Sequence, residues 1–377
     1  MSAAIRFLRP VLAVLLAFCL CGVARAIDAQ TPGTDDPAAG ASVATDARAQ
    51  EAPVTAAAAA ACLRQEPGIA DVTGNGVIDE ADAEALLLCA VGSIPDLATL
   101  PAILEDSLLG EKHLAAFSNV GVQRGEGYFR SETISYTLET VEQEDLTYQE
   151  DLTYYVADIL LRDLGHFRTA FGKDRYRGSE VMEDIAARHN AIVAINGDYY
   201  AWKDNGGPVI RNGVLYRDTI DKRRDACVLY ADGTMQTYGP DETDMEAIVA
   251  RGAYQCWTFG PSLLDENGQP KTESSQFRST VQRANPRSVI GYIEPGHYLF
   301  VTVDGRGAGG SDGITMIDLS QLMYDLGCTV AFNLDGGGSA VMADASGAIS
   351  NQSSGRKCCD ILYIVEDYSV YSEETEE

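Results

Sequence analysis

Short apolar runs that stop at a carboxylate or an amide, and then at a glycine, recur along this chain and constrain its fold more than any other feature. The clearest is Thr329-Val330-Ala331-Phe332, followed by Asn333-Leu334-Asp335-Gly336-Gly337-Gly338-Ser339. Ala191 to Ile195 leads into Asn196-Gly197-Asp198-Tyr199-Tyr200, and Tyr298 to Val303 leads into Asp304-Gly305-Arg306. An aromatic run leads into Phe259-Gly260-Pro261-Ser262, and Arg283 and Arg287 bracket Asn285-Pro286 ahead of Ser288-Val289-Ile290-Gly291. β-branched and aromatic residues suit a pleated, half-buried surface, and glycine accepts φ values that other residues avoid. A tight turn satisfies each segment taken alone. Converging on one edge of a sheet, they would assemble a site.

The rest of the pattern fits the same domain. Tyr154–Leu161, Cys227–Ala231 and Ile361–Val365 read as further strands, with Asp232-Gly233 as a hairpin turn. Val181–Arg188 reads as a short helix. Thr315–Leu326 reads as another from the spacing of Ile314, Ile317, Met323 and Leu326, with Asp312 as its expected N-cap and Gly327 as its stop. Strands outnumber helices, which predicts an α+β domain over 126–367 on a mixed, largely antiparallel sheet flanked by helices. Gln143 to Tyr148 recurs at once as Gln149 to Tyr154. An even-numbered insertion keeps the period-two phase, so a hairpin lengthens without exchanging its faces.

Ahead of this domain the organisation changes. Arg6 and Arg9, the apolar Val11–Val23 and the small-x-small Ala24-Arg25-Ala26 read as a signal peptide over 1–26. That points to a secreted or cell-surface protein with no stable membrane span after cleavage. Residues 27–60 lack apolar periodicity and read as a linker. Residues 61–97 form a small module, 98–125 a connector and 368–377 an acidic tail. Signal cleavage removes Arg6, Arg9 and Arg25 and takes the net charge from -28 to -31. Bulk attraction to nucleic acid is thereby excluded, and a phosphate-bearing substrate needs a local basic pocket. Cys62, Cys89, Cys227, Cys256, Cys328, Cys358 and Cys359 lie beyond residue 26, and in an exported protein disulfides are expected. Cys62–Cys89 is the natural pair because it brackets the small module.

Within that module, Asp71-Val72-Thr73-Gly74-Asn75-Gly76-Val77-Ile78-Asp79-Glu80-Ala81-Asp82 has EF-hand spacing. Asp71, Thr73, Asn75, Asp79 and Asp82 supply side-chain oxygens, Val77 a carbonyl, and Gly76 the sharp turn, so Ca2+ is the expected ion. Asp82 at the last position and the following Ala85-Leu86-Leu87-Leu88 helix resemble a dockerin repeat. Dockerins carry two such repeats, and one is found. The resemblance implies a cohesin-type scaffold partner; a structural calcium clip is the other reading.

The strand-end residues also suit a reaction. Asp304 and Asp335 suit work on a glycosidic centre. Arg306, Arg283 and the amides of Gly336, Gly337 and Gly338 suit an anion. Asn196 and Asn333 suit sugar hydroxyls or water. No HExxH or P-loop occurs, and His113, His166, His189 and His297 read as surface or core residues.

Together, Asn196 to Tyr200, Arg211-Asn212-Gly213, Gly260-Pro261-Ser262-Leu263, Val303 to Arg306 and Asn333 to Ser339 resemble the phosphodiester glycosidase family over about 150–367. The resemblance implies cleavage of the C1–O bond of a sugar phosphodiester, within a free diester or a cell-envelope glycan. It carries catalytic roles to Asp335, Asp304, Asn333, Asn196 and Asp198, and substrate contacts to Arg306, Arg283, Gly336–Gly338, Ser339 and Ser262. Asp335 is the key carboxylate on this reading, with Asp304 fixing Arg306 or sharing its role. A non-enzymatic glycan-binding or polysaccharide-assembly protein on the same fold is the alternative.

Overall fold

The structure, a computed structural model, describes residues 107–118, 120–143, 151–201, 206–279, 281–352 and 355–367. All of them belong to a compact unit, Thr99–Glu377. The expected signal peptide, linker, 71–82 calcium loop, Cys62–Cys89 pair and acidic tail lie outside the described residues.

Three large antiparallel sheets and a two-stranded one, Glu180–Val181 with Lys357–Cys358, build this unit. The largest has the strand order Gln123–Gly125, Tyr128–Arg130, Ile134–Gln143, Leu152–Leu161, His297–Val303, Arg287–Glu294 and Val330–Asn333. A second runs Met235–Tyr238, Ala226–Tyr230, Ala253–Trp257, Val209–Arg211, Val214–Arg217. The third runs Gly347–Ala348, Met342–Asp344, Val193–Asn196, Asp360–Ile364, Phe167–Phe171. Every pairing among the described residues is antiparallel, so the expected mixed sheet is corrected.

Alternation along the strands explains the layering, because successive side chains point to opposite faces. Tyr298 and Phe300 face a core shared with Ile195, Leu229, Trp257 and Leu362, to which all three large sheets contribute. Leu299, Val301 and Val303 face the other way, onto Met316, Leu319 and Met323 of the helix Met316–Asp325. The central strands are therefore buried on both faces, which is why they read as nearly unbroken apolar runs.

Three α-helices occur among the described residues: Met182–Arg188, Met245–Ala250 and Met316–Asp325. Two lie where the apolar spacing predicted them. Thr315, not Asp312, caps the last by accepting from the Asp318 amide, while Asp312 is exposed. Gly327, at φ 87°, terminates it as expected. The duplicated hexapeptide sits at the hairpin whose last described pair is Gln143 with Leu152. Cys227, Cys256, Cys328, Cys358 and Cys359 are all buried free thiols, which corrects the disulfide expectation for these five.

Candidate active site

Register brings the strand ends together. Asn333 pairs with Val289 and Arg287 with Val303, so the residues after Asn333, those before Arg287 and those after Val303 share one edge of the large sheet. Asn196 pairs with Ile361 in the third sheet, and its Nδ2 donates to the Asp335 carbonyl at 2.7 Å. Ser262 bridges to Phe332. The sequence-predicted clusters therefore do converge.

Asp335 lies at the centre, with 8% of its surface exposed. Burial pushes its pKa above the ordinary carboxylate value. Ser339, Arg356 and the Gly336 amide oppose that rise, and Asp198 adds to it. The Gly336 N–H donates to Oδ1 at 3.0 Å, and Arg356 Nη2 lies 4.0 Å from Oδ2. The Ser339 hydroxyl faces this carboxyl without an aligned hydrogen bond.

The glycines serve a purpose the sequence did not reveal. Besides Gly336, the Gly337 amide donates to Pro286 O at 2.9 Å and the Ser339 amide to Gly336 O at 3.4 Å. The Gly336, Gly337 and Ser339 amides, engaged within the protein, are thereby taken from the expected phosphate cradle. A Cβ on Gly336 would meet Pro286 O at 2.8 Å, and one on Gly337, at φ 64°, would meet the Arg306 guanidinium at 2.9 Å. The run is glycine because backbone and guanidinium pack directly on it.

Positive charge comes instead from side chains. Arg306 is exposed, lies over Gly337, and donates to Asn285 Oδ1 at 3.0 Å. Arg287 is buried beside Gly336 and donates to the carbonyls of Val281, Arg283 and Ile314. Burial and the nearby Arg306 push its pKa down to about 10. Arg283 is exposed, and its carbonyl is what holds Arg287.

Several predicted site residues are positioning residues. Asn196 is fully buried, with Oδ1 accepting from Ser288 Oγ at 2.5 Å and from the Val341 amide at 3.4 Å. Asn333 Nδ2 donates to the Gly260 and Leu334 carbonyls, which leaves no amide hydrogen for a sugar hydroxyl. Ser262 Oγ donates to Leu264 O at 2.7 Å. Asp198, expected among the catalytic residues, accepts from Arg211 Nη2 at 3.0 Å and the Thr258 amide at 2.8 Å and so sits in a buried ion pair. Asp304 is fully buried and accepts from Tyr155 and from the amides of Asn351 and Gln352. It fixes the 351–352 loop, while Asn285 holds Arg306.

Sequence reasoning missed Arg356, whose only signal was a basic pair, Arg356-Lys357, just before the last strand. It also missed the partner of Arg211, whose Nε donates to Asp360 Oδ2 at 2.6 Å in a fully buried pair. On the flank near Gly260, the half-buried rings of Tyr199 and Phe259 meet edge to face at 5.2 Å. Arg224 lies over both rings, and Arg278 donates to Phe259 O at 3.2 Å. A cavity of about 1110 Å³ opens elsewhere, lined by Ala191, Ile192, Asp344 and Val365 at the opposite strand ends. The Asp335 carboxylate, Arg306 and Arg356 converge outside it.

Residues 189–365 match the model of the family described as phosphodiester glycosidase. The SPbeta prophage-derived protein YomE of Bacillus subtilis (strain 168) is 36% identical over 193 residues, covering 49% of this chain and 29% of that relative. The chain thus spans under a third of that relative's length. The catalytic domain of zebrafish N-acetylglucosamine-1-phosphodiester alpha-N-acetylglucosaminidase, auto-inhibited by its pro-peptide, superposes with TM-score 0.50 at 20% identity, over 62% of this chain and 84% of that chain. A hypothetical protein from Synechocystis aligns with TM-score 0.46 at 15% identity, over 62% of each chain.

Proposed function

We propose that this domain is a hydrolase that cleaves the glycosidic C1–O bond of a sugar phosphodiester, adding water at C1 and releasing a free sugar and a phosphate monoester. The observation that carries the reading is the placement of one nearly buried carboxylate, Asp335, beside a glycine turn flanked by Arg306 and Arg356. A phosphate monoester is a weakly basic leaving group, so little general acid is required. Arg306 and Arg356 offer charge to its oxygens as the bond breaks. Asp335 then acts on the sugar side, taking a proton from the attacking water. The Tyr199–Phe259 pair offers an apolar face to a sugar ring. The family match and the fold support the reaction class.

The same reading places the protein outside the cell after loss of 1–26 and gives Ca2+ to the loop Asp71–Asp82; N-terminal sequencing of exported protein and calcium titration check both. The reaction is tested with N-acetylglucosamine-1-phosphodiesters and nucleotide-sugars. Wild type should release free sugar and a phosphate monoester, and folded Asp335→Asn should not. Binding of such a diester without turnover would favour the glycan-binding alternative.

A further inference from the structure

At the far end of the large sheet, away from Asp335, three side chains with metal-binding atoms meet. His113 comes from the segment 107–118, while Glu294 and His297 face each other across the turn of the Arg287–Glu294 and His297–Val303 hairpin. One ligand atom from each lies within 4.8 Å of the other two. His113 Nε2 is 3.3 Å from Glu294 Oε1. Two ligands about 2.0–2.1 Å from a tetrahedral zinc ion are separated by about 3.3 Å, so this edge of the polyhedron is already formed.

The fourth participant is a carboxylate placed to orient a ligand. His297 Nε2 is 2.8 Å from Asp158 Oδ1, while its buried Nδ1 has no hydrogen-bond partner. Donation of one ring nitrogen to a carboxylate leaves the other as a lone-pair donor, the usual arrangement around a metal-bound histidine. The two imidazoles meet edge to face at 5.4 Å.

The backbone is shaped to the same end. His113 adopts φ 61°, a left-handed conformation uncommon for a residue with a side chain. Leu109 and Phe117 pack on Leu160, and the Leu108 amide donates to Arg162 O at 2.9 Å, so the segment is docked against the sheet. Lys112 takes Glu294 Oε2 and leaves Oε1 facing His113.

We propose that His113, Glu294 and His297 bind one divalent transition ion of the zinc class, oriented by Asp158, and that this ion clips the segment 107–118 to the hairpin. Imidazole and carboxylate donors suit zinc, and three protein ligands leave one position for water. The site is separate from the proposed reaction and independent of it.

Untagged full-length protein, held in excess calcium to saturate the 71–82 loop, is titrated with zinc alone. One equivalent should bind at micromolar Kd or tighter, and at hundredfold excess over Kd should raise Tm by about 5–10 °C. Glu294→Gln, which keeps shape, and His297→Ala should each weaken binding tenfold or more and abolish the Tm shift. Asp158→Asn should weaken it about 10–100-fold as a positioning residue, without changing the stoichiometry. Cobalt in place of zinc should give a tetrahedral spectrum that the Glu294 variant loses. Zinc affinity unchanged in these variants, or no binding below millimolar, overturns the proposal.

Discussion

Asp335 is held in a conflict that links stability to activity. Burial raises its pKa, so the folded protein binds this proton more tightly than the unfolded chain does. Its contribution is therefore favourable at low pH and is lost as pH rises from the ordinary carboxylate value through the folded one. Asp335→Asn should thus have an equal or higher Tm at pH 7.5 while kcat/KM falls by ~10³-fold or more. Calorimetry and diester hydrolysis on one preparation decide this; loss of both together would make Asp335 a folding residue. Asp360 obeys the same sign, again through burial. Burial pushes it up to about 7, opposed by Arg211 and reinforced by Asp198. Urea stability should fall between about pH 4 and pH 7, and Asp360→Asn should flatten that slope. Arg211→Met leaves both carboxylates buried without their cation and should destabilise by about 3–5 kcal/mol at pH 7.5.

At the level of elements, the strand ends do the assembling, and glycine is what lets them approach. Gly336→Ala would set a Cβ against backbone, at 2.8 Å from Pro286 O, which no rotamer change relieves. It should cost about 1–3 kcal/mol and lower kcat/KM, because the 333–339 segment must move from the 285–287 segment that carries Asn285 and, through it, Arg306. Gly337→Ala meets only the tip of Arg306 but must hold φ 64°, and should chiefly raise KM. Equal kcat/KM for wild type and Gly336→Ala would show that this packing does not set the site. The strands were legible because doubly buried strands are written as apolar runs, and the helix stop at Gly327 because its conformation demands glycine. The meeting of strand ends was legible too, since each run breaks into a polar residue at the same side of the sheet. Partners were not. Asn196, Asp198, Asn333 and Ser262 have the residue types of a site, yet their hydrogen bonds go to Asp335 O, Arg211, Gly260 O and Leu264 O. A residue type fixes what a side chain can offer, whereas register and long-range packing decide who receives it. Arg356 stayed hidden for the same reason: only the fold brings it to Asp335.

For the whole molecule, charge sets how an anionic substrate arrives. The chain carries -28 at pH 7, yet the proposed site presents Arg306 and Arg356 around Asp335. The two fields act over different ranges. The global negative field reaches far at low salt, where the Debye length is about 30 Å at 0.01 M, and is cut to about 8 Å at 0.15 M. The arginines act at contact distance, where screening is weak. Adding salt should therefore first remove repulsion and only later weaken the arginine contacts. For an anionic sugar phosphodiester, kcat/KM should rise from 0.01 M to 0.15 M ionic strength, by about 2–10-fold on the scale of electrostatic effects on association, and fall again near 1 M. Steady-state rates at fixed pH, with KM and kcat separated, check this. The rise should appear in KM, because chemistry at C1 takes place after the substrate has crossed the outer field. A rate that falls steadily from the lowest salt upward would mean that the substrate meets a positive surface well beyond these two arginines, and that the anion is bound elsewhere on the molecule.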